Sequence, residues 1–211
     1  RGGAPAVASG ARSDSIVSMT APARVELGGL AVVDGHCHPL LAEPWAVSAD
    51  RFLDLLSEGR PGTMTAHIPY TGYYGRVLHA LAQHFECEPK TEAILERRRA
   101  VGAGATARLF SAENMAALLV DSGYPPRAMP IEEMRRLLPV EVHAVFRIET
   151  RAEALLPKSL PYRDFHDAFV RELKAAAGRC VALKTIIAYR SGLAVREWER
   201  ADAIRAYESA L

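Results

Sequence analysis

Four short runs of apolar residues punctuate the chain: Leu30–Asp34, Ala117–Asp121, Val142–Ile148 and Val181–Ile187. Each is rich in β-branched residues or nearly continuous in apolar ones, the pattern of strands buried on both faces of a parallel sheet. Between them the apolar positions recur every three to four residues, the spacing of one helix face. One stripe is Val77, Leu78, Leu81 and Phe85, and a second is Ile131, Met134, Leu137 and Leu138. Phe165, Phe169, Leu173 and Ala176 form a third, and Trp198, Ala201, Ile204 and Tyr207 a fourth. All four stripes read as core packing. Alternating strands and helices predict βα units and an α/β fold with a parallel sheet.

The gap between the first two strands, residues 35–116, is too long for one crossover helix. Its pattern predicts helical segments near 49–58, 73–87, 91–102 and 106–116. An insertion after a strand sits where such folds carry their active-site loops. Residues 1–20 are rich in Gly, Ala and Ser without periodicity and predict a disordered lead-in, leaving 21–211 as the folded part.

Composition narrows the function. Basic and acidic residues number 26 and 25, for a net charge of +1, which excludes a nucleic-acid binder with a general basic face. No apolar run approaches the roughly 18 residues of a membrane span. Three cysteines make no disulfide framework and fit a reducing, cytoplasmic compartment. The chain uses 22 Arg and only 4 Lys, so a lysine in an unusual place stands out.

The sharpest chemical signal is Val32-Val33-Asp34-Gly35-His36-Cys37-His38-Pro39. Side chains at i and i+2 of a strand share a face, so His36 and His38 stand side by side, about 7 Å apart at Cα. Two neutral imidazoles at the end of a strand can converge on one divalent metal, with Zn first among Zn, Fe, Mn and Ni. Cys37 points the other way, into packing. Asp34 either hydrogen-bonds a metal ligand or ties down backbone N–H groups.

The second signal is Lys184 within Val181-Ala182-Leu183-Lys184-Thr185-Ile186-Ile187. A lysine in an apolar strand is costly when charged. Burial favours the neutral amine, which can react with carbon dioxide to give an anionic carbamate ligand. The competing reading is a strand-end lysine reaching out to solvent. Arg147 and Glu149 share a face at the end of the third strand and could orient a substrate or pair with each other. Arg190 follows the fourth strand and could clamp a substrate carboxylate or form a loop salt bridge. Asp121, at a strand-to-loop junction, reads as a turn residue. His67 lies in the insertion and reads as a surface histidine with the site as the alternative.

Asp34-Gly35-His36-Cys37-His38 after an apolar strand resembles the first-strand metal motif of the amidohydrolase superfamily. The stretch Ala182–Leu193 resembles one branch of it, the amidohydrolase-related metal-dependent hydrolases, which are sometimes fused to a glutamine-synthetase-like domain. Leu118–Gly123 and Phe146-Arg147-Ile148-Glu149 resemble segments of that branch in the same order. The similarity runs from about residue 24 to the end.

The resemblance implies a partial (β/α)8 TIM barrel, its first four βα units with a long helical insertion after strand 1. It implies metal at the C-terminal face, with His36, His38 and Lys184 as ligands and Lys184 carboxylated where two ions are held. It further implies a hydrolase in which metal-activated water attacks an amide, amidine or ester carbon of a small-molecule substrate. The family's remaining ligands and its general-base aspartate follow later strands, so they are expected beyond Leu211, and the chain reads as an N-terminal piece. The alternatives are a metal-dependent C–C lyase on the same fold, or a non-catalytic scaffold. Half a barrel leaves exposed sheet edges, and the chain alone is expected to oligomerise or aggregate.

Overall fold

The computed structural model describes residues 26–122, 124–125, 128–193 and 195–211. The lead-in expected over 1–20 lies outside the described residues. The chain divides after Leu30. Of the first unit, residues 26–30 form a turn closed by the Leu30 N–H on the Leu27 carbonyl. The second unit, Ala31–Leu211, carries the sheet.

That sheet has four parallel strands, β1 (Val32–Cys37), β2 (Met115–Asp121), β3 (Glu141–Arg147) and β4 (Cys180–Lys184), in the spatial order β1-β2-β3-β4. Parallel neighbours need crossovers, and the chain supplies them as helices. Four fill the insertion between β1 and β2: α1 (Ala49–Asp54), α2 (Gly72–Phe85), α3 (Thr91–Val101) and α4 (Ala103–Ala112). Then come α5 (Ile131–Leu137), α6 (Ile148–Leu155), α7 (Tyr162–Ala177) and α8 (Arg200–Ala210).

The insertion has a core of its own. Phe52, Leu78, Ala82, Phe85, Ile94 and Leu95 pack together there with Val47 and Ala105. The Ser48 hydroxyl caps α1 and the Thr71 hydroxyl caps α2, each accepting from an N–H of the first turn. Gly102, at φ +65, breaks the continuous helical stretch into α3 and α4, because an L side chain rarely adopts that conformation.

The second core lies under the middle of the sheet. Leu118 and Val120 of β2 and Val142 of β3 meet Met129, Met134 and Leu138 from the α5 region. The edge strands are different: Val33 is 58% exposed on β1, and Val181 and Leu183 are each 56% exposed on β4.

All four expected strands form, with shifted ends. β1 runs from Val32 to Cys37 rather than Leu30 to Asp34. β3 stops at Arg147, because Ile148 opens α6, a helix whose stripe is too polar to stand out. β4 ends at Lys184, and Ile187 belongs to a 3-10 turn, Ile187–Tyr189. Trp198 falls outside α8, 58% exposed, with the Arg196 guanidinium 3.9 Å from its ring centre. Tyr207 anchors α8 instead, donating to the Leu160 carbonyl at 2.7 Å and packing on Phe165.

No helix among the described residues is long and apolar enough to cross a membrane. Exposed apolar residues on both edge strands make the sheet a template for further pairing. Residues 1–211 prepared on their own are therefore expected to self-associate, with light-scattering mass rising with concentration. A monomer across the whole range would contradict this.

Candidate metal centre

The register of the ladders places charged groups together at the C-terminal end of the sheet. Asp121, the last residue of β2, pairs with Val145 of β3. Arg147 lies two residues further along β3 and therefore on the same face. Lys184, the last residue of β4, pairs with Arg147. Three neighbouring strands thus deliver an aspartate, an arginine and a lysine to one spot.

Asp121 is completely buried. The Arg147 Nε donates to Oδ1 and Oδ2 at 3.0 Å each, and its Nη2 donates to Oδ2 at 2.5 Å. The Lys184 Nζ lies 2.9 Å from the same Oδ2. A buried carboxylate persists only with such partners, and the planar guanidinium fits it with more than one bond.

The histidines arrive from β1 through a local irregularity. Asp34 pairs with Leu118 and Cys37 with Val120, so three steps on β1 answer two on β2. The extra residue makes a bulge, a device that re-aims side chains at the rim of a sheet. The Asp34 Oδ1 stabilises it by accepting the His36 backbone N–H at 3.0 Å. Asp34 thus performs the backbone role. Cys37 turns toward the core and approaches the Leu119 carbonyl, and burial pushes its thiol up to about 11.

The two imidazoles stand side by side, with ring centres 5.1 Å apart and planes at 78°. His38 Nδ1 lies 3.2 Å from the Asp121 carbonyl oxygen. With Nδ1 as the donor, His38 is held in the tautomer that leaves Nε2 as its lone-pair nitrogen. The Tyr124 ring packs on His38 in a T-shaped contact, ring centres 5.3 Å apart. His36 Nε2 lies 2.7 Å from the Lys184 Nζ. His36 and His38 each offer a nitrogen and Asp121 an oxygen, all within 4.8 Å of one another. These borderline nitrogen and hard oxygen donors suit a divalent transition metal. The structure therefore brings together His36, His38 and Lys184, and adds Asp121.

The His36 pKa lies below the ordinary histidine value. Partial burial is the main cause, followed by the Lys184 charge and His38. Its imidazole is accordingly neutral near pH 7, the form that ligates metal.

The remaining candidates distribute as follows. Arg147 does not pair with Glu149: it turns to Asp121, while Glu149, in the first turn of α6, accepts from the Thr185 hydroxyl. Burial raises the Glu149 pKa, but the Thr185 hydroxyl, the backbone amides of Glu149 and Ile186 and the Arg147 charge outweigh it and hold the carboxyl below the usual range. Its Oε2 is buried and has no hydrogen-bond partner among the described residues. Arg190 is 66% exposed, 4.0 Å from Glu153, and among the described residues makes no ion pair or hydrogen bond with His36, His38 or Lys184. His67 is exposed at the start of a 3-10 turn.

Asp121 is the residue that sequence reasoning undervalued. Its signal was present, an acidic residue closing an otherwise apolar run, but only the fold shows it to be buried.

No family model and no curated protein matches the chain. The fold is similar to a crystal structure at 1.40 Å of a "putative metal-dependent hydrolase" from Lactobacillus casei, with a TM-score of 0.74 and 25% identity over 87% of this chain. The chain spans about half, 49%, of the length of that protein.

Two outcomes follow from the geometry. Removing one partner of a buried ion pair typically costs about 3–5 kcal/mol, and Lys184 retains part of the compensation here. Arg147→Met is thus expected to lower stability in denaturant melts by about 3 kcal/mol, and Arg190→Met, at the surface, by less than about 0.5 kcal/mol. Equal losses would refute this account of Asp121. In metal-free protein, NMR titration is expected to place His36 below 6.5. In Lys184→Met its midpoint rises, because a cation that disfavours the imidazolium is gone. An unchanged or lower midpoint would contradict the assignment.

Proposed function

We propose that the chain is the metal-binding half of a hydrolase of the amidohydrolase type, built on a (β/α)8 barrel of which β1–β4 are the first four strands. The observation that carries this reading is the convergence of His36, His38 and Asp121 at the C-terminal end of a parallel sheet, the end where barrel enzymes hold their active sites. The sequential strand order supports the barrel, since a doubly wound sheet reverses its order at a switch point. The likeness to the Lactobacillus casei protein supports the chemistry.

In this reading His36, His38 and Asp121 hold one divalent ion, zinc being the first to test. When bound, such an ion supplies Lewis acidity and a water of lowered pKa for attack on an amide, amidine or ester carbon of a small molecule. The protein's own groups prepare that chemistry. The Asp121 carbonyl orients His38, and Arg147 fixes the Asp121 carboxylate. Glu149, held by Thr185 beside the end of β4, and Arg190 beyond it are the candidate substrate contacts. Carboxylation of Lys184 would add an anionic ligand and a second ion. Among the described residues one donor group, His36, His38 and Asp121, could hold an ion, and this favours as second reading a single-metal C–C lyase, which would release carbon dioxide from an aromatic acid. The free thiols of Cys37, Cys87 and Cys180 support a reducing, cytoplasmic setting.

Metal analysis of the intact purified protein is expected to find about one transition-metal ion per chain. The His36→Ala/His38→Ala variant is expected to lose at least about a hundredfold in zinc affinity, having lost two of three ligands. Wild-type protein without stoichiometric metal, or a double variant that binds as well, would refute the reading.

A further inference from the structure

The position of Lys184 carries more than its expected role as a ligand. Its Nζ lies 2.7 Å from His36 Nε2 and 2.9 Å from Asp121 Oδ2, in contact with two of the three residues that form the candidate metal site. As an ammonium it donates to Nε2, so the lone pair of that nitrogen is already in use. Its charge also balances an aspartate with no exposure to solvent. Two cations cannot share that space, because their repulsion at such distances in a partly buried site is large.

We propose that the Lys184 ammonium is a built-in stand-in for the metal, occupying the site in the metal-free protein and leaving it when a divalent ion enters. This inference rests on the metal-binding reading above. The stand-in keeps Asp121 compensated and His36 in place before loading, so the site is assembled in advance. It also sets a threshold, since an entering ion must first displace a paired ammonium. The way out is open: Lys184 is the last residue of β4, its side chain is 22% exposed, and Thr185 after it is exposed.

The test is zinc affinity of the metal-stripped, intact protein in carbon-dioxide-depleted buffer, read by competition with a chelating dye. Lys184→Met removes the competitor and is expected to bind Zn2+ about tenfold more tightly than wild type. If wild type binds zinc and the variant binds no more tightly, the inference falls while the metal reading stands. If the variant binds more weakly and bicarbonate tightens wild type alone, Lys184 is a carbamate ligand and the inference is overturned. If neither binds zinc, the metal reading falls with it.

A second readout needs no variant. The chain has only four lysines, Lys90, Lys158, Lys174 and Lys184, so acetylation by acetic anhydride can be followed at each by peptide mass spectrometry. Zinc is expected to raise the labelling rate at Lys184 several-fold and leave the other three unchanged. Protection of Lys184 by zinc, or no change, would overturn the proposal.

Discussion

The Asp121 carboxylate, buried at the tip of a central strand and held by two cations, is the constraint on which the site depends. Burying it alone would cost several kcal/mol. Arg147 from β3 and Lys184 from β4 meet that cost, and each reaches it only because the parallel register ends three neighbouring strands at the same level. The Asp121 carbonyl then orients His38, and the Lys184 ammonium reaches His36. One residue thus couples the sheet to both imidazoles.

The surrounding architecture divides the labour. The central strands β2 and β3 and helix α5 supply a rigid floor. The insertion after β1 folds around its own core, so it can vary without disturbing the strand ends. The bulge between Asp34 and Cys37, tied by the Asp34 carboxylate, lets β1 pair with β2 and still turn His36 and His38 toward Asp121. The exposed apolar residues of β1 and β4 support continuation of the sheet by further strands, as the barrel proposal requires.

Much of this was legible in the sequence because it depends on local periodicity. Alternation by two predicts that His36 and His38 are neighbours, and a lysine within an apolar run marks Lys184. The insertion helices follow from stripes such as Leu78 and Phe85, which are buried together. What local pattern does not encode is register. Asp121 and Arg147 are 26 residues apart and meet through strand pairing, so an aspartate after Val120 reads as a turn and an arginine before Ile148 reads as a partner for Glu149. Helix α6 escaped notice because Leu155 is its only buried residue. Trp198 misled in the opposite direction: its spacing fits the α8 stripe, but the helix begins at Arg200.

The central claim is that His36, His38 and Asp121 form one metal-binding unit. X-ray absorption at the zinc edge of the zinc-loaded protein addresses it most directly. The account predicts a first shell with two imidazole nitrogens and carboxylate oxygen at about 2.0–2.2 Å, and loss of the imidazole scattering when both histidines are replaced by alanine. A shell of water and carboxylate oxygens without imidazole, unchanged by that replacement, would contradict it.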